Sequence, residues 1–173
     1  MRLTAGWITM LGTFASIAAA QTPTPRPEDV GSIDGIIAAY YDVISGPAGT
    51  PRQWHRDSSL YIPNVHFVAM DVRQGRPVAR VMDHAQFVAG YNRAFVNAGF
   101  FEREIYRVTK RFGNIVHVFS TYENSTTAQG PIEGRGVNSI QLFWDGTRWW
   151  IANATWEDER PDNPIPAEFL PKP

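Results

Sequence analysis

NIVHVFSTYENSTTAQGPIEGRGVNSIQLFWDGTRWWIANATW, residues 114–156, reads as three long, aromatic-rich antiparallel strands joined by turns. Asp145-Gly146 lies between two apolar runs, a strong short hairpin signal because both central residues of a type I′ turn need positive φ. A two-residue turn there sets Leu142 opposite Trp149 and Gln141 opposite Trp150. With helix-like and extended segments before it, the chain becomes a few helices followed by a curved sheet. That is an α+β arrangement, whose sheet encloses a cavity where helices cap it.

Working upstream, residues 100–112 (FFEREIYRVTKRF) are extended and turn at Gly113-Asn114 into the first of the three strands. A tight turn brings Tyr106 near Thr121 and Arg107 near Ser120. Before it, Ser32 is placed to cap a helix with Ile33, Ile36, Ile37, Tyr40, Val43 and Ile44 at helical spacing, and Gly46-Pro47 ends it. A shorter helical turn over 52–59 carries Trp54. Residues 66–72 and 77–81 alternate like two short strands, and Asp83 caps a second amphipathic helix bearing Phe87, Val88, Tyr91, Phe95 and Val96.

At the ends the chain changes character. Residues 1–20 combine Arg2, a weakly apolar run and a closing Ala18-Ala19-Ala20, the pattern of a cleaved secretory signal, so the mature protein is expected to start at Gln21 and to be exported, periplasmic or secreted. Interruptions at Gly6, Thr9, Gly12 and Thr13 argue against a membrane span, which needs roughly 20 strongly apolar residues. Residues 21–28 (QTPTPRPE) read as a proline-rich linker, 29–160 as one domain and 161–173 as a proline-rich tail that drapes over the surface.

Composition excludes several classes of partner. Without Arg2 the chain carries 15 basic and 17 acidic side chains, a net charge of −2, with no basic run, so nucleic acid and anionic membranes are not expected partners. There is no cysteine, so stability rests on packing even though export would permit disulfides. His55, His66, His84 and His117 show no metal-ligand spacing, and neither a metal nor another cofactor is expected. No G-x-S-x-G turn or phosphate-binding loop is present.

Successive side chains on a strand point to opposite faces. One face of the last hairpin carries Ser139, Gln141, Phe143, Trp150, Ala152, Ala154 and Trp156; the other carries Asn138, Ile140, Leu142, Trp149, Ile151, Asn153 and Thr155. Both are largely apolar. The Gln141 and Trp156 set is assigned to a pocket, where Ala152 and Ala154 leave room. The Ile140, Leu142, Trp149 and Ile151 set is assigned to an apolar surface too large to leave in water, hence a homodimer.

The order helix, short helix, strand, helix, then long strands ending in a glycine-turn hairpin resembles the nuclear transport factor 2-like superfamily, including its SnoaL-like members, over residues 33–156. YDVISGPAG, GFFEREI, RFGNIVHVFSTYE, RGVNSIQLFWDGTRWWI and ERPDNPIPAEFL resemble an exported bacterial group within it. The resemblance implies a cone-shaped, curved antiparallel sheet capped by N-terminal helices, of the cystatin-like kind, with a pocket on the concave face. Trp156 resembles the pocket tryptophan of ketosteroid isomerases. The isomerase base would fall at Ile62, before Pro63, and the oxyanion-side carboxylate near Ser139, so both acids are missing and steroid-isomerase chemistry is not implied.

The leading expectation is a small hydrophobic or amphipathic ligand in a pocket lined by Tyr40, Trp54, Tyr122, Ser139, Gln141 and Trp156. A second is a dehydratase- or isomerase-like enzyme with His66 as proton carrier beside Tyr91 or Glu104. A third is a homodimeric interaction module with a filled core. Arg107 is expected outward and solvated, and Arg135, if inward, to bind an acidic ligand or pair with Glu123, and if outward to be solvated.

Overall fold

A computed structural model describes residues 23–95 and 97–172. Residues 1–20, read as the signal, and Val96 lie outside the described residues. The helices are α1 (Pro27–Val30), α2 (Ile33–Asp42), α3 (Trp54–Ser58) and α4 (His84–Phe95). The strands are β1 (Tyr61–Arg73), β2 (Arg76–Met82), β3 (Phe101–Phe112), β4 (Ile115–Ser125), β5 (Gly134–Trp144) and β6 (Trp149–Asp158), and a 3₁₀ turn, Ala167–Phe169, closes the tail.

Local chemistry sets the helix starts. Ser32 Oγ accepts from Gly35 N at 2.9 Å. At α4, Gln86 N donates to Asp83 Oδ1 at 2.8 Å while Asp83 N donates to Gln86 Oε1 at 3.0 Å, a reciprocal capping box. Helix α2 ends at Asp42, short of the expected Ile44, yet Val43 and Ile44 stay buried in the turn that follows. Pro27 opens α1, and buried Asp29 accepts two hydrogen bonds from Arg56 on α3, both at 2.7 Å.

The six strands form one open, curved sheet in the order β2-β1-β6-β5-β4-β3. All neighbours are antiparallel except β1 and β6, which run parallel, so the sheet is mixed where an antiparallel one was expected. Tyr106 lies opposite Thr121 and Arg107 opposite Ser120, as the Gly113-Asn114 turn requires. The last hairpin differs from expectation. Its loop spans four residues, Asp145 to Arg148, because Asp145 Oδ1 accepts from Thr147 N and Arg148 N at 2.7 and 2.9 Å, folding the loop around an Asx turn. Leu142 therefore faces Ile151 and Trp144 faces Trp149.

Three interruptions re-aim side chains. On β1 the register shifts between Tyr61 and His66, where Asn64 takes φ 63°. On β3 Ile105 is the extra residue between Glu104, opposite Tyr122, and Tyr106, opposite Thr121. On β6 Ala152 is the extra residue, because Leu142 faces Ile151 while Gln141 faces Asn153. A single extra residue moves every side chain beyond it to the other face.

The core lies between the helices and the concave face of this sheet. Ile36, Ile37, Val118, Ile140, Ile151 and Ala154 have no exposed surface, and each such aliphatic side chain of Val or Ile size contributes roughly 1.5–3 kcal/mol by leaving water. The α4 end is fixed by Asp57, fully buried, whose carboxylate meets His84 Nε2 at 2.6 Å and accepts the Tyr61 hydroxyl at 3.0 Å.

This arrangement reverses the two faces of the last hairpin. Ile140, Leu142, Trp149 and Ile151 are at most 5 % exposed and pack beneath the helices, so they form no outer surface for a second copy. Gln141 is exposed on the outer face, where its side-chain oxygen accepts from Asn153 Nδ2 at 3.0 Å. Alternation separates two faces but does not say which one the helices cover. The tail covers part of the outer face: Thr121 Oγ1 donates to the Phe169 carbonyl at 2.5 Å and Phe169 lies 5.1 Å from Phe119, ring to ring.

Candidate functional site

Between α2, α4, β2 and the concave sheet lies a cavity of about 280 Å³. Its apolar wall is built from Tyr40 and Ile44 of α2 and the turn after it, Met82 of β2, Phe87, Tyr91 and Phe95 of α4, and Phe100, Tyr122 and Trp156. The rings brace one another: Phe67 stacks on Phe87 at 4.5 Å, Phe95 meets Phe100 at 4.4 Å, and Phe87 stands edge-on to Trp156 at 6.2 Å. Edge and offset contacts of this kind add to the simple burial of the rings.

Polar groups gather at the sheet side of the cavity: Glu102, Asn124, Asn138 and Asp158, with Arg80 of β2 also on the lining. Asp158 and Asn138 are held by the protein itself. The Tyr122 hydroxyl donates to Asp158 Oδ1 at 2.5 Å. It reaches across Gly136, the residue opposite both, where any Cβ would stand 2.2 Å from that hydroxyl. Tyr40 donates to Asn138 Oδ1 at 3.2 Å, Asn138 Nδ2 donates to the Tyr41 hydroxyl at 3.1 Å, and Tyr41 shares a 2.6 Å hydrogen bond with Ser120. Ser120 donates to Glu104 Oε1 at 2.5 Å, and Glu104 is in turn bound by Arg107.

Glu102 is held through its backbone alone. Ser45 Oγ fixes its backbone, accepting from Glu102 N at 3.0 Å and donating to its carbonyl at 3.3 Å. Among the described residues, no donor reaches its carboxyl group, whose oxygens keep contact with solvent. The surface it keeps faces this cavity and a neighbouring charged groove between α2 and β3. Burial pushes its pKa up to about 8, and the Asp158 charge adds to the rise, with no cation acting in the other direction. The phenols of Tyr40, Tyr91 and Tyr122 are also pushed up by burial and stay neutral donors at physiological pH.

Of the residues expected from the sequence, Tyr40, Tyr91, Tyr122 and Trp156 line this one cavity. Trp54 does not; it stands behind Tyr91 at 5.5 Å and donates from Nε1 to Asn92 Oδ1 at 3.1 Å. Ser139 and Gln141 lie on the opposite face, Ser139 against His117 Nε2 at 2.8 Å. His66 is exposed, because the alternation of β1 turns Val65, Phe67 and Ala69 inward instead. The structure therefore does not bring His66 to Tyr91 or to Glu104. Arg107 is not solvated but ion-paired to Glu104 and Asp34 at 2.5 and 2.7 Å, and Arg135 pairs with Glu159 while Glu123 takes Arg103.

The residues that sequence reasoning misses are Glu102, Asp158 and Asn124, and it sets Asn138 on the wrong face. Asp158 carries a signal, since it follows Trp156 by two on one strand and so shares its face. Glu102 does not: without the extra Ile105, the pairing of Tyr106 with Thr121 sends Glu104 and Glu102 outward. Among the described residues no three His, Cys, Asp or Glu side chains come together as a metal-binding group.

The fold matches solved structures at low identity. A Nostoc punctiforme protein of unknown function with a cystatin-like fold shares 7 % identity at a TM-score of 0.57, covering 75 % of this chain and 90 % of that one. The beta subunit of a putative aromatic-ring-hydroxylating dioxygenase from Novosphingobium aromaticivorans shares 18 % at 0.57, covering 75 % and 88 %. An NTF-2 like protein of unknown function from Silicibacter pomeroyi shares 13 % at 0.49, covering 75 % and 94 %. No family model matches the sequence, and no curated protein does. The chain has a cystatin-like α+β fold. At these identities the likeness concerns the fold and carries no activity with it.

Proposed function

We propose that the protein binds a small amphipathic molecule in the aromatic cavity, its apolar body against Tyr91, Phe95 and Trp156 and its polar end at Glu102. The observation that carries this reading is the unpartnered Glu102 carboxyl, held inside an apolar enclosure by a clamped backbone. A ligand that supplies a partner there replaces water at a carboxyl that burial has already partly desolvated. The residues 1–20 pattern supports the further reading that the protein acts after export.

Catalysis is the second reading, and it moves from His66 to Glu102. A carboxyl titrating near neutrality inside an apolar pocket suits general acid-base work on a bound carbonyl or alkene. The homodimer proposal loses its original surface and rests on the outer face that the tail leaves uncovered.

The test is a ligand-observed NMR screen of small aromatic fragments, each with one polar end, against the wild type and Gly90→Leu. Gly90 lines the cavity from α4, and a Cβ there meets only the Arg93 guanidinium, at 3.8 Å. Leucine at this helical position is expected to fold at least as well as glycine while narrowing the cavity. Fragments that bind the wild type and not Gly90→Leu are the expected result; binding unaffected by the substitution contradicts the reading.

A further inference from the structure

Resting on that binding reading, the balance of charge around the cavity says more about the ligand. Two carboxyls, Glu102 of β3 and Asp158 of β6, belong to its lining, and Asp158 already takes the Tyr122 hydroxyl. The cationic side chains nearby are committed or peripheral. Arg80 of β2 lines the cavity but is largely exposed and makes no ion pair with either carboxyl. Arg52, beneath α4, donates to the Pro47 and Thr50 carbonyls at 3.2 and 2.7 Å. Arg107 is held by Glu104 and Asp34 in the neighbouring groove. No ion pair to Glu102 or Asp158 forms among the described residues.

Around these carboxyls stand aromatic faces and edges from four elements: Tyr40 of α2, Tyr91 of α4, Tyr122 of β4 and Trp156 of β6. Ring faces attract cations and are indifferent to, or repel, anions. An enclosure that offers carboxyl oxygens and aromatic rings, and whose one lining cation, Arg80, pairs with neither carboxyl, is complementary to a cationic ligand. We propose that the cavity takes an organic cation, an ammonium group on an aromatic or short aliphatic body, with the ammonium at Glu102 and Asp158 and the body against Tyr91 and Trp156.

Binding then carries a proton balance. Glu102 holds its proton in the empty cavity below about pH 8, through burial and the Asp158 charge, while the tyrosines around it stay neutral. An entering ammonium replaces that proton, which leaves to solvent as Glu102 ionises. Affinity for a cation therefore rises with pH up to about 8 and levels off above it. A neutral ligand that accepts a hydrogen bond from protonated Glu102 shows the opposite trend.

The experiment compares 2-phenylethylamine with 2-phenylethanol, nearly equal in size and differing in one ammonium or hydroxyl group, by isothermal calorimetry on the full chain. The amine stays charged throughout about pH 6 to 8.5, since alkylammonium groups titrate near 10. The expected result is an amine affinity at least tenfold above that of the alcohol at about pH 8, rising about tenfold between pH 6 and pH 7, the slope of one proton released per site. Buffers of different ionisation heat are expected to show that proton directly, and Glu102→Gln is expected to erase both the preference and the slope. An alcohol bound as tightly as the amine, or an amine affinity independent of pH, overturns the cation while leaving the cavity reading in place. Failure of both compounds to bind overturns both.

Discussion

Glu102 is a single side chain with an effect on the whole stability curve. Its carboxyl titrates near 8 when folded and near 4.5 when free, so between those values the folded protein holds a proton that the unfolded chain has released. Stability then falls as pH rises from about 4.5 to 8 and is level above. Glu102→Gln removes the ionisable group at nearly constant volume. It is expected to raise stability at pH 8 by at most about 5 kcal/mol, since the shift spans about 3.5 tenfold steps in the proton-binding constant at about 1.4 kcal/mol each, and to do little at pH 5. Thermal melts of the two proteins across that range check it. Parallel curves at all pH values would mean that Glu102 is solvated like any surface glutamate.

At the scale of elements, what the sequence shows and hides divides along the bulges. Helix positions, caps and the β3–β4 register follow from apolar spacing, Ser32, Asp83 and a glycine turn, because each of those signals is local. The faces of β5 and β6 do not. The longer Asp145 loop moves the hairpin register by two, which keeps parity, whereas the single extra Ala152 carries Ala154 and Trp156 to the inner face beside Ile140. Trp156, which the resemblance sets in a pocket, lines the cavity, while Gln141, which alternation sets beside it, lies outside. A sharp consequence attaches to Ile151, fully buried on the face that alternation alone offers as a dimer surface. Ile151→Glu puts an unpaired charge into the core and is expected to unfold the monomer, a loss of more than about 4 kcal/mol. A folded variant of altered oligomeric state, seen by circular dichroism and light scattering, would restore the surface reading.

For the whole molecule, the proline-rich end is a strap across the outer face. Ile165 is buried, its backbone N–H donates to Glu159 Oε1 at 3.1 Å, and Phe169 covers Phe119 and Thr121. Truncation after Pro164 removes these two anchors, each worth roughly 1.5–3 kcal/mol of burial. It is expected to lower the melting temperature by several degrees while leaving the cavity, on the other face, able to bind. Loss of fragment binding without loss of stability would show that the strap reaches the cavity by some route other than packing.

Everything proposed for the cavity depends on one carboxyl being where the fold puts it, enclosed by aromatic rings and unpartnered. Carbon-13 NMR of protein labelled at the glutamate side-chain carboxyl, with the Glu102 resonance assigned by its absence in Glu102→Gln, follows that group directly through a pH titration. The expected midpoint lies near 8 and falls when 2-phenylethylamine is added. A midpoint in the ordinary glutamate range, unmoved by the amine, would contradict it.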